Sequence, residues 1–98
     1  MLCKIVEANN ESILSILKMD LKISASQYDE YLNNLIELSK AAIAKEGIIL
    51  DDSTEDGMLI EMYAAYLYRK RKEESNGMPR MLRYALNNRL FSQKARVD

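Results

Sequence analysis

The sequence predicts an all-α protein, a small bundle of about four helices with two longer central helices and a C-terminal helix. Apolar residues recur with the helical period along most of the 98-residue chain, and only three glycines and one proline interrupt them. With 48% hydrophobic and 30% charged residues, a chain of this length can bury one modest core. We therefore expect a single domain over residues 1–98, with flexible ends at 1–8 and 92–98.

The first half of the chain predicts two helices. An apolar stripe predicts a helix over residues 9–20, capped by an asparagine; its members are Ile13, Leu14, Leu17 and Leu21. A longer stripe that includes Leu35 predicts a second helix over residues 25–46. Two capping-box patterns mark its start, and Gly47 follows where a left-handed residue closes a helix; the patterns are Ser24 with Gln27 and Ser26 with Asp29.

The second half predicts two more helices. Ser53 or Thr54 can cap the third, whose first turn is acidic and whose last turn carries the cations at 69–72. Apolar residues surround this helix, which predicts that the core or partner proteins bury it. Pro79 suits the first position of a last helix over residues 79–91. The residues expected to pack the core or a subunit contact are Leu35, Met62, Tyr63, Tyr66, Leu67, Leu82 and Leu86.

The composition excludes most routes to catalysis. The chain has no histidine, and its single cysteine, Cys3, permits neither an intrachain disulfide nor a cysteine-based zinc cluster. Three glycines provide no phosphate-binding loop. The acidic stretch 51–57 does not match an EF-hand, because Asp56 and Met62 stand where that loop needs glycine and glutamate. We expect no enzyme, no catalytic residue, no cofactor and no metal.

The expected location is a reducing cytoplasm, without a membrane partner. No stretch approaches the roughly 18 consecutive apolar residues that a spanning helix needs. Charges interrupt the apolar residues at the N-terminus, which therefore lacks the apolar region of a signal peptide. A lone cysteine fits a reducing compartment.

The near-neutral total charge of -1 conceals a strong segregation. Residues 69–96 carry a balance of +7, which leaves -8 for the rest of the chain, and residues 46–61 contain six acids and no base. Such a domain can contact an anion or the acidic face of another copy of itself. The residues expected at an interface with another subunit or with a partner protein are Arg80, Arg83, Arg89, Asp51, Asp52, Glu55 and Asp56.

Arg89 is a charged residue on the apolar face of the last helix, because a helical wheel places it inside the apolar arc. Arg80 and Arg83 gather on the opposite, polar side. Two interpretations of Arg89 stay open. Its long side chain can reach solvent from a fraying helix end, or it can form an ion pair between subunits with an acid from the 51–56 stretch.

The order of four segments resembles the small head–tail connector proteins of tailed phages and prophages of Gram-positive bacteria. The segments are ILKMDLKI at 16–23, YDEYLNNLI at 28–36, MYAAYLYRKR at 62–71 and MPRMLRYALNNRL at 78–90. The first resembles a helix that ends in a Leu-basic-Ile signature, and the next two resemble the long helices of that family. The last is similar to its closing segment.

The resemblance implies an all-helical, non-enzymatic subunit of a ring. That ring docks beneath the phage portal protein at the capsid vertex, extends the channel for packaged DNA and provides a platform for tail attachment. The implied partners are other copies of the chain, the portal protein, tail-side adaptor and completion proteins, and double-stranded DNA in transit without sequence recognition. The implied location is the host cytoplasm during assembly and then the head–tail junction of the virion. Residues 1–9 have no counterpart in the family.

Two other classes remain as alternatives. A small helix-turn-helix regulator would insert the basic last helix into the major groove of DNA, with Gly77 and Pro79 in its turn. The total charge of -1 and the leucine-rich last helix count against it. A helical partner module, such as one half of a toxin–antitoxin pair, is the third class.

Overall fold

Four helices form the described part of the protein, which a computed structural model covers over residues 10–73 and 77–97. They are α1 (Asn10–Leu21), α2 (Asp29–Lys45), α3 (Thr54–Glu73) and α4 (Arg80–Val97), with a short 3-10 turn at Ser26–Tyr28. The predicted all-α bundle is confirmed. No helix among these residues is long and apolar enough to cross a membrane. The expectation for residues 1–8 lies outside the described chain.

The core lies around α3, which packs against α1, α2 and α4. This central position agrees with the apolar residues that surround α3 in the sequence. Leu35, Leu82 and Leu86 are buried in the core, as predicted. Four further residues predicted for the core or a subunit contact pack against it only partly buried: Met62, Tyr63, Tyr66 and Leu67. The most buried apolar side chains of α3 are instead Leu59, Ile60, Ala64 and Ala65.

Only the C-terminal end of α2 agrees with the prediction. Gly47 has a φ of 97° and its amide donates to the Ala44 carbonyl at 3.0 Å, so it closes the helix as predicted. The start is corrected: α2 begins at Asp29, and no side chain caps it. The predicted capping boxes do not form there. Instead, the Asp29 carboxylate accepts a hydrogen bond from Lys18 of α1 at 2.7 Å, which ties the two helices together.

The ends of α3 and α4 also follow from particular hydrogen bonds. Ser53 caps α3, because its hydroxyl accepts the Asp56 amide at 3.1 Å. The last helix continues to Val97, past its predicted end at residue 91. Gln93 explains the extension, since its side chain accepts the Ile49 amide at 2.7 Å and donates to the Gly47 carbonyl at 2.9 Å. These bonds hold the last turns of α4 against the loop that follows α2.

Lys22 closes α1 in a left-handed conformation that suits glycine better, with a φ of 61°. The Ile23 amide donates to the Lys18 carbonyl at 2.9 Å and the Lys22 amide to the Met19 carbonyl at 3.3 Å, which are the two bonds of a Schellman motif. Since a Cβ is strained there, Lys22→Gly should raise the free energy of unfolding by about 0.5–1 kcal/mol in urea denaturation. Lys22→Ala keeps the Cβ and is the control; equal stability of the two variants would contradict this explanation.

Candidate interaction surface

A buried ion pair joins α4 to the start of α3. Arg89 Nε donates to Asp56 Oδ1 at 2.6 Å, and Arg89 Nη2 donates to Asp56 Oδ2 at 3.0 Å. Asp56 is 0% exposed and Arg89 7% exposed, so water screens neither charge. This two-point contact fixes both the distance and the orientation of the guanidinium.

The loop before α3 adds two hydrogen bonds to the pair, while Arg89 Nη1 is buried and has no hydrogen-bond partner among the described residues. Arg89 Nη2 also donates to the Ile49 carbonyl at 2.8 Å, and Asp56 Oδ2 accepts the Asp51 amide at 2.8 Å. The hydrogen bond to Asp56 raises the pKa of Arg89 further above its ordinary value. Hydrogen bonds from the Ser53 side chain and backbone lower the pKa of Asp51 to about 2. Arg89 and Asp51 are therefore charged near neutral pH.

The predicted ion pair of Arg89 thus exists, but it lies within one chain. The sequence predicts a partner within residues 51–56, and in the structure that partner is Asp56. Because both side chains are buried inside the subunit, the assignment of Arg89 and Asp56 to a subunit or portal interface is corrected. The alternative that Arg89 reaches solvent from a fraying helix end is also wrong, since α4 continues to Val97. Arg89 is a residue of the fold.

The other predicted interface residues divide between two regions of the surface. Asp51, Asp52 and Glu55 are exposed beside the buried pair, at the N-terminal end of α3. Arg80 is exposed at the start of α4. Arg83 is half-buried, and its guanidinium donates to the Glu46 carboxylate at 3.3 and 3.4 Å.

A groove runs between α3 and α4, and we call it the α3–α4 groove. It consists of two clefts that share Met62. The acidic-end cleft has a volume of about 350 Å³, and its lining includes Glu55, Met58, Leu59, Ala85 and Asn88. The basic-end cleft has a volume of about 280 Å³, and its lining includes Ala65, Tyr66, Lys70, Met81 and the ion-paired Arg69 and Asp20. Apolar side chains lie between an acidic end and a basic end, a pattern typical of a protein-binding surface.

Glu61 of α3 is a buried acid that the sequence reasoning missed. It is 4% exposed, and its Oε2 has no hydrogen-bond partner within the described residues. Burial raises the pKa of Glu61 to about 8, with a further contribution from the neighbouring Asp20 carboxylate. Asp20 itself forms an ion pair with Arg69 at 3.4 Å. The available signal was an acid within the apolar run from Leu59 to Met62.

The protonation of Glu61 predicts a pH-dependent stability. Its pKa is about 8 in the folded chain against an ordinary value of 4.5, so the folded state binds the extra proton between these values. Stability should fall as pH rises through this window, by at most about 1.4 kcal/mol per pH unit.

Glu61→Gln should flatten this dependence in urea denaturation between about pH 5.5 and 8.5, because glutamine is neutral throughout. The control is Glu30→Gln, which alters an exposed acid and should keep the wild-type slope. If the Glu61→Gln and wild-type proteins lose stability equally as pH rises, a group other than Glu61 binds the proton that stabilises the folded state.

Comparisons of the chain with protein-family models, with curated proteins and with solved structures find no match. Among the described residues, no group of three or more acidic or cysteine side chains could hold a metal ion. The features available for a functional inference are therefore the exposed charges, the groove and the exposed apolar side chains of α4.

Proposed function

We propose that this chain is a non-enzymatic structural subunit of a phage head–tail connector ring. The ring docks beneath the portal, extends the DNA channel and provides the platform for tail attachment. Support comes from the four segments that resemble this family in order and spacing, and the all-α bundle agrees with the fold that the resemblance implies.

The observation that carries the proposal is the pair of oppositely charged surfaces on one small domain. Asp51, Asp52 and Glu55 are exposed at one end of α3, while Arg69 and Lys70 are exposed at the other. Glu55 and Lys70 are fifteen positions apart, which corresponds to about 22 Å along the helix. A ring needs two unlike surfaces on each subunit, because head-to-tail contacts form a cycle when the rotation closes.

The charge balance also suits a channel for DNA. A formal net charge of -1 limits fixed contacts with phosphates, which would otherwise slow a duplex that must slide through. The proposed partners are further copies of the chain, the portal protein, tail-side adaptor and completion proteins, and DNA in transit. Assembly would take place in the host cytoplasm, and the final location would be the head–tail junction of the virion.

The features of α4 favour a connector over a DNA-binding regulator. Large apolar side chains, including Met81, Tyr84 and Phe91, are exposed on α4, where a recognition helix would present polar groups to base edges. Arg83 already contacts Glu46 within the chain.

Deletion of the gene from the phage that encodes the chain tests the proposal. Heads and tails should both form but remain separate in electron micrographs, because the attachment platform is absent. Expression of the wild-type chain from a plasmid should restore joined particles. Normal tailed particles in the deletion strain would overturn the proposed function.

A further inference from the structure

Two exposed aromatic side chains on α4 have no role in the core. Tyr84 is 58% exposed and Phe91 is 69% exposed. They are seven residues apart, so they lie within about 20° of the same helix face and about 10.5 Å apart along the axis. Large aromatic side chains held on a rigid helix are typical anchors of a protein interface.

The α3–α4 groove has two clefts that follow one another along α3. The α3 residues of the acidic-end cleft run from Glu55 to Met62, and those of the basic-end cleft from Met62 to Lys70. Met58 and Ala65, one from each cleft, are about 10.5 Å apart along the helix. The shared Met62 and the neighbouring Met58 are flexible side chains that adapt to the shape of an inserted group.

We propose that the two clefts of the α3–α4 groove receive Tyr84 and Phe91 of a second copy of this chain. This contact rests on the proposed function, since it assigns the surface through which ring subunits meet. Ala85 and Asn88 line the groove, but Tyr84 and Phe91 do not. One copy can therefore offer its aromatic side chains to one neighbour and its groove to another, which is the head-to-tail contact that a ring requires.

The charges at the two ends of the groove favour one direction for the α4 helix of the second copy. The exposed Arg80 precedes Tyr84 by about one helical turn, and Glu55 lines the acidic-end cleft with Asp51 and Asp52 nearby. Tyr84 should therefore enter the acidic-end cleft. The reverse direction would set Arg80 beside the cations of the basic end.

In this direction, Phe91 enters the basic-end cleft. The C-terminal end of the incoming α4 then approaches Arg69 and Lys70, which suits the helix dipole. Lys94 is the one exposed cation of α4 that this arrangement brings toward the basic end, counted among the described side chains.

A pair of complementary variants tests the contact. The aromatic variant carries Tyr84→Ser and Phe91→Ser, and the groove variant carries Met58→Lys; all three positions are exposed, so folding should survive and circular dichroism can verify it. Sedimentation velocity up to about 1 mM should show wild-type mass rising with concentration. Each variant alone should associate at least about tenfold more weakly.

Mixing the two variants gives the decisive result. The aromatic variant retains a groove and the groove variant retains its aromatic side chains, so the mixture should form a 1:1 complex that grows no further. Leu38→Ser removes an exposed apolar residue of α2 outside both surfaces, and it should associate as the wild type does. A mixture that stays monomeric, variants that associate normally, or a wild-type chain that is monomeric at about 1 mM would each overturn the contact.

Failure of this contact differs from failure of the proposed function. If both variants still join heads to tails in the deletion strain, the subunits meet through another surface and the connector function stands. If the deletion strain makes normal tailed particles, the function is overturned, whatever the sedimentation result.

Discussion

Arg89→Met should lower the free energy of unfolding by about 3–5 kcal/mol, the largest effect expected for a single substitution in this chain. Methionine retains most of the apolar stem but removes the guanidinium, which leaves the charge of Asp56 buried and unpaired. The Ile49 carbonyl loses its donor as well. Urea denaturation followed by circular dichroism measures the change.

The control for this prediction is Arg80→Met, the same substitution at an exposed position of α4, which should change stability by no more than about 0.5 kcal/mol. Asp56→Asn completes a double-mutant cycle with Arg89→Met. The two losses should add to more than the loss in the double variant, because each single variant already breaks the same pair. A loss below about 1 kcal/mol in the free energy of unfolding for Arg89→Met would show that Arg89 lies at the surface and not in a buried ion pair.

Leu86→Ala should have the second largest effect, a loss of about 2–5 kcal/mol in the free energy of unfolding. Leu86 is buried where α4 packs against the core, so its removal leaves a cavity that the helices can fill only in part. Leu67→Ala on α3 is the matched comparison, and it should cost less because Leu67 is only partly buried. Equal losses would mean that Leu67 is as deeply buried as Leu86, which would contradict the prediction.

The local rules of helix formation explain how far the sequence predicts the fold. The apolar stripes locate all four helices of the described chain, Gly47 closes α2, and Ser53 caps α3. Those features depend on neighbours within one or two helical turns. The start of α2 and the end of α4 depend on distant partners, Lys18 for Asp29 and the loop around Gly47 for Gln93. No local pattern reveals such contacts.

The interaction surface likewise combines features that local sequence predicts with features that depend on distant contacts. The helical wheel marks Arg89 as a misfit, and the run of acids supplies its partner, but only the packing of α4 against α3 shows that the pair lies within one chain. Glu61 was missed because the pattern of α3 shows an apolar helix without showing how deeply each position is buried. The groove follows from the relative placement of two helices, which spacing along one helix does not contain.

Electron microscopy of the purified chain mixed with the portal protein tests whether the chain is a connector subunit. Closed rings of this chain should be seated on the portal, since each subunit has two unlike surfaces and a head-to-tail contact can close. Light scattering of the same mixture should report the corresponding mass. A chain that stays strictly monomeric, with and without portal and across the accessible range of concentrations, would show that it is not a ring subunit.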